Sequence, residues 1–392
     1  MNQRVVVVTG HSKLDSGGVG THIRLLIDSL TENGVFHGAV LGSSIFGKAF
    51  HYSVKKFAII SKQEEMYHSI YPIANIYFIQ KKLDRKLSNL FQIDKSMVIL
   101  HTHDRSSTIA AHNLKKKYNI KIIQTLHAPF YQQYEIHPII SKSLVPLYIR
   151  GLDKETVNFA DSYIAVDDLQ RDLILRDFKE ELADKEVFVI SNAVEKSLLT
   201  LKKPRKIEGR YFVIARHLHE KNGVEYGIRA FSEILKLNGN KGVKLYILGQ
   251  GPLEQKLKIL TRQLEIEDDV KFLGPQPRKI CLDIINKSMG SIVPSIPVGD
   301  YIEATSLTML ESMAMNVPLI ASNIGGLKQV LSGRDAAFLI PAKDINGIRV
   351  AMQSIIDDED KVRELTLNAK NLVKNNYTTD SWIKRIFDVY NK

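Results

Sequence analysis

Two carboxylates, Glu303 and Glu311, stand eight positions apart where a helix is predicted to begin. Glu303 precedes the helix predicted over 306–315, and Glu311 lies inside it. A helix extended over both would bring them within about 80° of one face, at about 100° per residue. The Ser306 and Leu307 amides at the helix start have no partner within the helix and suit an anion. The spacing predicts a site that grips hydroxyl groups along an extended polar ligand.

Two cations, Arg216 and Lys221, follow the first strand predicted in the second half of the chain. Arginine offers a planar fork and lysine a point charge, so the pair suits a diphosphate. The alternative is two solvated surface cations. The glycine turn of Gly249 and Gly251 comes after the next strand. It is either a contact with a base or ribose or a tight connection with Pro252 at the helix start.

Glycines also follow the first strand of the chain, where Gly17 and Gly18 open a predicted helix. Glycine permits close backbone approach, and helix-start amides suit a phosphate or a sugar oxygen. The spacing matches neither the dinucleotide fingerprint nor the Walker loop. A plain strand-to-helix turn remains the alternative.

Histidines end two further predicted strands, His101 and His103 with Asp104 in one case and His127 in the other. Such a group is able to bind a metal or act in acid–base chemistry. No single motif supplies three or four ligands, so we expect no metal site. A packed, hydrogen-bonded histidine is the alternative, and it is favoured for His101 but not for His127.

Apolar runs rich in Val and Ile alternate with amphipathic stretches, which predicts parallel sheets covered by helices on both faces. The fold class is therefore α/β, with two doubly wound, Rossmann-like domains. Strands are predicted over 4–9, 38–42, 97–103, 120–126, 162–167, 187–191, 210–216, 243–248, 270–273, 290–294, 318–322 and 336–340. Helices are predicted over 21–32, 107–118, 143–160, 223–237, 252–265, 278–287, 306–315, 343–356 and 359–375.

The domain break is predicted in 195–208, which has no strand pattern and contains Pro204. We therefore expect an N-terminal domain over 1–195 and a C-terminal domain over 196–376. A last helix over 377–392, which holds the only tryptophan, is expected to pack back on the first domain.

The net charge is +11, and residues 1–150 hold 19 Lys and Arg against 9 Asp and Glu, which leaves +10 there. A basic field favours an anionic partner, and no basic-aromatic motif points to nucleic acid. A single cysteine and the lack of a membrane-length apolar run or signal peptide predict a cytoplasmic protein. Residues 79–91 place apolar and basic side chains at helical spacing, so this helix faces either an anionic membrane or the core.

These segments, in this order, resemble the family-4 retaining glycosyltransferases of the GT-B fold, also called glycosyl transferases group 1. The resemblance implies two Rossmann-like domains facing across a cleft, with the nucleotide-sugar donor on the second and the acceptor on the first. The segments that carry it are Gly17-Gly-Val-Gly20, Thr125-Leu-His127, Ile190-Ser-Asn192-Ala-Val-Glu195, Ala215-Arg216 with Lys221-Asn-Gly223, Leu248-Gly-Gln-Gly-Pro252, and Glu303-x7-Glu311 with Gly325-Gly326.

The resemblance also implies a role for each matching residue. Arg216 and Lys221 would clamp the leaving diphosphate in place of a metal ion, so no cofactor is expected. Glu311 would hold the ribose, Glu303 would lie near the donor sugar, and His127 would contact a donor hydroxyl. The remaining donor or nucleotide contacts would be Gly17, Gly18, Asn192, Gly249, Gly251, Ser306 and Leu307.

Two departures from the family pattern leave the donor open. Many relatives continue the first carboxylate as Glu-Gly-Phe-Gly, whereas this chain has Glu303-Ala-Thr-Ser. The common Asn-Gly-Val-Asp is here Asn192-Ala-Val-Glu195.

The expected function is retaining transfer of a hexose from a nucleotide-diphosphate sugar, UDP-sugar first, to a glycan, lipid-linked or small-molecule acceptor. Such a reaction belongs to cell-envelope, polysaccharide or glycoconjugate synthesis, in the cytoplasm or at the inner face of the cell membrane. The alternatives are a catalytically silent protein of the same fold that binds glycans or nucleotide sugars, and a sugar-nucleotide epimerase. The sequence leaves the base, the sugar, the acceptor and the oligomeric state open.

Overall fold

The structure is a computed structural model, and it describes residues 3–11, 14, 17–42, 64–128, 131–135, 140–201, 210–237 and 242–392. The chain forms two compact units. The first comprises Met1–Ile190 and Ile383–Lys392, and the second comprises Ser191–Trp382. The division thus falls five residues before the boundary expected from the sequence.

The first unit is built on a six-stranded sheet in the order β2-β1-β3-β4-β5-β6, in which every strand pairing is parallel. The central strands of this sheet are almost entirely apolar. In β1, Val5 to Val8 are fully buried, because helices cover both faces of the sheet. The strands are β1 (Arg4–Thr9), β2 (Phe36–Leu41), β3 (Val98–Thr102), β4 (Ile120–Leu126), β5 (Ser162–Ala165) and β6 (Val187–Val189).

The described helices of the first unit are Gly17–Glu32, Glu64–Ile93, Arg105–His112, Gln132–Glu135, Val145–Phe159 and Asp168–Asp177, with a 3-10 turn at Ile140–Lys142. In the long helix Glu64–Ile93, the apolar stripe of Ile79, Leu83 and Leu87 is fully buried in the core of this unit. The membrane-facing interpretation of that stripe is therefore wrong, and the core-facing alternative is confirmed.

The second unit repeats the design with a parallel sheet in the order β12-β11-β10-β7-β8-β9. Its strands are β7 (Tyr211–Ala215), β8 (Lys244–Leu248), β9 (Val270–Gly274), β10 (Gly290–Val293), β11 (Leu319–Ser322) and β12 (Phe338–Ile340). Its helices are Val224–Leu235, Glu254–Gln263, Arg278–Lys287, Leu307–Ala314, Gly325–Leu331, Ile345–Asp357 and Glu359–Asn376, with 3-10 turns at Lys196–Thr200 and Glu220–Asn222.

The last helix, Thr379–Asn391, begins in the second unit and ends in the first. Within the first unit, the buried Tyr390 hydroxyl lies 2.6 Å from His101 Nδ1. Trp382, just before the change of unit, is 1% exposed. In the described part of the chain, no helix has both the length and the apolar composition to cross a bilayer.

Every strand predicted from the sequence is present, and the α/β fold class is confirmed. Three described helices were not predicted, namely Gln132–Glu135, Asp168–Asp177 and Gly325–Leu331, and the other errors concern helix ends. The helix predicted over 107–118 begins at Arg105, because the Asp104 side chain caps it together with Ser107, and it ends at His112. The predicted break over 195–208 lies partly outside the described residues.

Candidate functional site

Each sheet reverses its strand order at one point, between β1 and β3 in the first unit and between β7 and β10 in the second. Crevices at the carboxyl ends of such strands are the usual ligand sites of doubly wound sheets. Arg216 directly follows β7, and Ser295 lies two residues beyond β10. The strand order thus brings together residues that are far apart in the sequence.

Arg216 is the centre of this site and is nearly buried, with 8% of its side chain exposed. Its Nη1 donates to Ser306 Oγ (2.9 Å), and its Nη2 donates to Asn222 Oδ1 (2.5 Å) and Ser295 Oγ (3.2 Å). Nη2 also lies 2.7 Å from Glu303 Oε2. These contacts fix the plane of the guanidinium, so it is not a solvated surface cation.

Lys221 reaches the same carboxylate from the 3-10 turn after β7, with Nζ 3.0 Å from Glu303 Oε2. Its ammonium also lies 4.5 Å from the centre of the Tyr301 ring. Arg216, Lys221 and Glu303 form a group that we call the Arg–Lys–Glu cluster. Two cations meet one carboxylate there, so the cluster holds one excess positive charge.

Burial alone would raise the pKa of the Glu303 carboxyl, but Arg216 and then Lys221 outweigh burial and lower that pKa to about 2. Glu303 is therefore ionised at every physiological pH. A carboxylate held in this state serves as a fixed negative charge and does not act as a general acid.

The backbone around Glu303 is held by the Gly-Gly turn that the sequence places after β11. A Cβ on Gly325 would lie 2.2 Å from the Glu303 carbonyl oxygen, and one on Gly326 would lie 2.3 Å from the Thr305 nitrogen. The Gly326 amide also donates to the Glu303 carbonyl oxygen (2.9 Å). Glycine is required at both positions because another backbone passes this close.

Gly249 and Gly251 must be glycine for a similar structural reason. A Cβ on Gly249 would meet the Arg216 carbonyl oxygen at 2.1 Å, and one on Gly251 would meet the Leu218 carbonyl oxygen at 2.5 Å. This turn packs on the loop that carries Arg216. Close packing alone accounts for both glycines.

The helix beside the cluster begins at Leu307, with Ser306 as its N-cap. Glu303 therefore lies outside the helix and Glu311 inside it, as predicted, and the two carboxylates do not share a helix face. Asn192 supports this loop by donating from Nδ2 to the Thr305 carbonyl oxygen (2.6 Å). The N-terminal amides of the helix and its dipole thus lie beside Arg216, where they favour an anion.

Glu311 belongs to a second ionic group that the sequence did not predict. Arg278 Nη2 lies 2.9 Å from Glu311 Oε1 and 2.7 Å from Glu195 Oε2. Burial lowers the pKa of the Arg278 guanidinium, but the two carboxylates outweigh burial and raise it. Arg278 thereby holds two carboxylates together that would otherwise repel each other.

In the first unit, the structure brings His22, His103 and His127 together, and we call them the histidine cluster. One ring nitrogen from each lies within 4.8 Å of the other two. His103 Nδ1 is 3.0 Å from His127 Nε2, and the His22 and His127 ring centres are 4.5 Å apart. Burial, followed by the neighbouring histidines, lowers the pKa of both His103 and His127 well below the ordinary value, so both rings are neutral.

Two residues expected beside these histidines have other roles. The Asp104 carboxylate accepts from the Gly10 amide (2.5 Å), the Thr9 hydroxyl (3.1 Å) and the Ser107 amide (2.9 Å), so it ties β1 to β3. His101 is fully buried, with Nε2 2.7 Å from Thr125 Oγ1, and its predicted packed role is confirmed.

Gly17 and Gly18 open the helix Gly17–Glu32 and are exposed.

The sequence predicted the central residues of the site better than the residues that contact them. Arg278, Asn222 and Ser295 lie at or just beyond the carboxyl ends of strands, or in the turn after β7. A search for every polar residue at those ends would have found them. His22 lies in the second turn of a helix, where its direction toward β3 and β4 was not readable from the sequence.

Two protein-family models together match nearly the whole sequence. The model described as Glycosyltransferase Family 4 matches residues 16–198, and the model described as Glycosyl transferases group 1 matches residues 200–372. The two sheets and the two models define a glycosyltransferase-type protein with the GT-B fold. The chain belongs to the glycosyl transferases group 1, and the family predicted from the sequence is confirmed.

The comparisons with individual proteins agree with that family. The chain is 25% identical over 263 residues to the glycogen synthase of Mycobacterium tuberculosis, which covers 66% of this chain and 60% of that protein. The chain thus spans less than two thirds of that relative. It is 22% identical over 407 residues to an uncharacterized glycosyltransferase of Methanocaldococcus jannaschii, which covers 99% of this chain and 98% of that protein.

Similarity to solved structures shows the same fold. The sucrose-phosphate synthase of Thermosynechococcus elongatus has a TM-score of 0.70 at 17% identity and covers 99% of this chain and 98% of its own. HepE of Anabaena, solved in complex with UDP-glucose, has a TM-score of 0.67 at 14% identity and covers 99% of each chain.

Proposed function

We propose that this protein transfers a hexose from a nucleotide-diphosphate sugar to an acceptor, with retention of configuration and without an essential metal. The observation that carries the proposal is the Arg–Lys–Glu cluster. It places a fixed guanidinium and an ammonium beside a helix N-terminus, with one excess positive charge. That arrangement suits a diphosphate, whose negative charge grows as the bond to the sugar breaks.

Several other residues of the site also have proposed roles in the same reaction. Glu311, oriented by Arg278, holds the ribose hydroxyls, and the amides of Ser306 and Leu307 hold a phosphate oxygen. Glu303 orients the two cations and contacts the donor sugar, and His127 contacts a donor hydroxyl.

The ionised Glu303 also bears on retention. Both cations contact its Oε2, which makes this carboxylate a poor covalent nucleophile. We therefore favour attack by the acceptor on the face from which the diphosphate leaves. In that mechanism the leaving diphosphate takes the acceptor proton, and no enzyme nucleophile is needed.

A UDP-sugar is the first donor to test, because HepE of the same fold was solved with UDP-glucose. For the acceptor, the net charge of +10 over residues 1–150 favours an anionic glycan or a lipid-linked acceptor at an anionic membrane. Binding to an anionic membrane is tested by sedimentation of the protein with anionic and with neutral vesicles at low and high salt. Equal binding to both kinds of vesicle would exclude an anionic membrane as a partner.

The transfer reaction is tested by release of free nucleotide diphosphate from a panel of UDP-, GDP- and ADP-sugars in the presence of candidate acceptors. We expect Arg216→Ala and Lys221→Ala each to lower turnover by about 10²- to 10³-fold, the usual cost of removing one such donor. Lys236→Ala is the matched control, since Lys236 follows the helix Val224–Leu235, is 66% exposed and, among the described contacts, pairs only with Glu233.

Three results would refute the proposal. Near-normal turnover in both Arg216→Ala and Lys221→Ala would exclude the diphosphate clamp. Tight binding of a sugar nucleotide with no release of diphosphate would favour a silent binding protein. Conversion of the donor to its epimer, seen by NMR, would favour an epimerase.

A further inference from the structure

The histidine cluster has the composition of a metal site. Three imidazoles from three separate elements converge, since His22 lies in the helix Gly17–Glu32, His103 follows β3 and His127 follows β4. In tetrahedral geometry, nitrogens about 2.0–2.1 Å from a zinc ion lie about 3.3 Å from one another. The 3.0 Å between His103 Nδ1 and His127 Nε2 is close to that separation.

The surroundings hold two of the three rings in place before any ion binds. His22 is 3% and His103 is 4% exposed. The His103 ring stacks on His101 at 4.7 Å and 12°, and His101 is itself fixed by Tyr390 and Thr125. Pre-positioned ligands lower the entropy lost on binding. His127 is the partly exposed member and gives the cluster access to solvent.

The chemistry of the donor set selects the ion. Neutral imidazole suits Zn²⁺, Cu²⁺, Ni²⁺ and Co²⁺, whereas Mg²⁺ and Mn²⁺ prefer carboxylate and water oxygens. His103 Nδ1 and His127 Nε2 now share one proton across 3.0 Å. A metal ion would replace this shared proton. The ring that donates the proton would then carry it on its other nitrogen, so both rings would stay neutral. Three protein ligands leave a fourth position for water.

We propose that His22, His103 and His127 bind one transition-metal cation, with Zn²⁺ as the first choice, and that the bound ion inhibits sugar transfer. The inhibition rests on the proposed role of His127 at the donor sugar, because a metal-bound ring is no longer able to turn toward a sugar hydroxyl. The ion is thus a regulator and not a cofactor.

Binding is measured without any reference to activity. The full chain, with any purification tag removed, is stripped with a chelator and titrated with Zn²⁺ against a chromophoric chelator. We expect one site per chain, no competition by excess Mg²⁺, and visible absorption bands of a four-coordinate complex when Co²⁺ is added. The Co²⁺ spectrum needs no variant, so it remains decisive if a substitution fails to fold.

Variants then assign the ligands. His22→Gln and His103→Gln should each weaken Zn²⁺ binding by at least about tenfold. His112→Gln is the matched control, because His112 belongs to the same unit but stacks on Phe159 at 3.7 Å outside the cluster. A failure of Zn²⁺ to bind the unmodified chain, or equal weakening in the control, would overturn the site.

Turnover separates this proposal from the proposed function. We expect Zn²⁺ to inhibit release of nucleotide diphosphate, a chelator to restore it, and His22→Gln to need at least about tenfold more Zn²⁺ for the same fractional inhibition. Zn²⁺ binding at the three histidines without a change in turnover would overturn the inhibition. A chain that binds Zn²⁺ but turns over no sugar nucleotide would refute the proposed function and leave the metal site standing.

Discussion

Glu303→Gln is the most informative perturbation of the second unit, because it removes one charge and keeps the side-chain volume. In the protein, Glu303 Oε2 lies 2.7 Å from Arg216 Nη2 and 3.0 Å from Lys221 Nζ. The substitution leaves two cations without their shared carboxylate. We therefore expect a loss of stability and of turnover without a loss of affinity for nucleotide.

The loss of stability can be estimated from the pKa of Glu303. The fall from the ordinary value of 4.5 to about 2 corresponds, at 1.36 kcal/mol per unit, to about 3 kcal/mol. Breaking a buried ion pair by removing one partner costs about 3–5 kcal/mol, which agrees. The folded-state pKa is depressed, so this stabilisation is fully present above pH 4.5 and is lost as the pH falls toward 2.

The assay is urea unfolding followed by the fluorescence of Trp382, which is the only tryptophan and is buried in the second unit. At about pH 7 the variant should lose about 3 kcal/mol, and the difference from the parent should shrink below about pH 4.5. Glu233→Gln is the control, since it removes one carboxylate from an exposed pair worth about 0–1 kcal/mol.

Binding and turnover complete the test. Because the cluster gains a second excess positive charge, the affinity of the variant for UDP should be unchanged or higher, while turnover should fall by about 10²-fold. A stability loss no larger than that of Glu233→Gln would show that the three charges do not act together. An affinity for UDP that falls in step with turnover would show that Glu303 binds the nucleotide directly.

Two further changes test the other ionic groups. Arg278→Met removes the cation that orients Glu311, so KM for the donor should rise by about tenfold with little change in kcat, whereas Arg363→Met, 70% exposed, should change neither. A fall in kcat alone would contradict the ribose role of Glu311. Asp153→Asn removes the fully buried partner of Arg105 (2.6 Å) and should lower the free energy of unfolding by about 3 kcal/mol, measured by urea unfolding followed by circular dichroism. A loss below about 1 kcal/mol would mean that Arg105 finds another partner.

The sequence was sufficient for the strands and for several of the site residues, because both depend on local patterns, but it did not predict the helices Asp168–Asp177 and Gly325–Leu331. Runs of Val and Ile bounded by turns located all the described strands. The unusual polar residues at the ends of those runs, Arg216 and His127 among them, lie where parallel strands end. The family emerged from the order of these segments, and the family models agree with it.

Helix ends and buried stripes were less predictable. The helix predicted from 107 starts at Arg105, because the capping box of Asp104 and Ser107 fixes its first residue. The prediction relied on the spacing of apolar residues, which does not detect a cap. The amphipathic run 79–91 has the same period whether it faces lipid or core. Only the packing of Leu83 and its neighbours against the first sheet decided between the two.

The sequence by itself determined which residues follow strands, which glycines allow close approach and which side chains carry charge. The tertiary structure alone decided their partners. Lys221 meets Glu303 across 82 positions because strand order sets β7 beside β10. His22 reaches His103 because its helix packs on β1, and β1 lies beside β3 in the sheet. Periodicity has a range of a few residues, whereas the partner of a charged side chain is set by which strands are neighbours in the sheet. For that reason Glu303 and Glu311, eight positions apart, have different cations as partners.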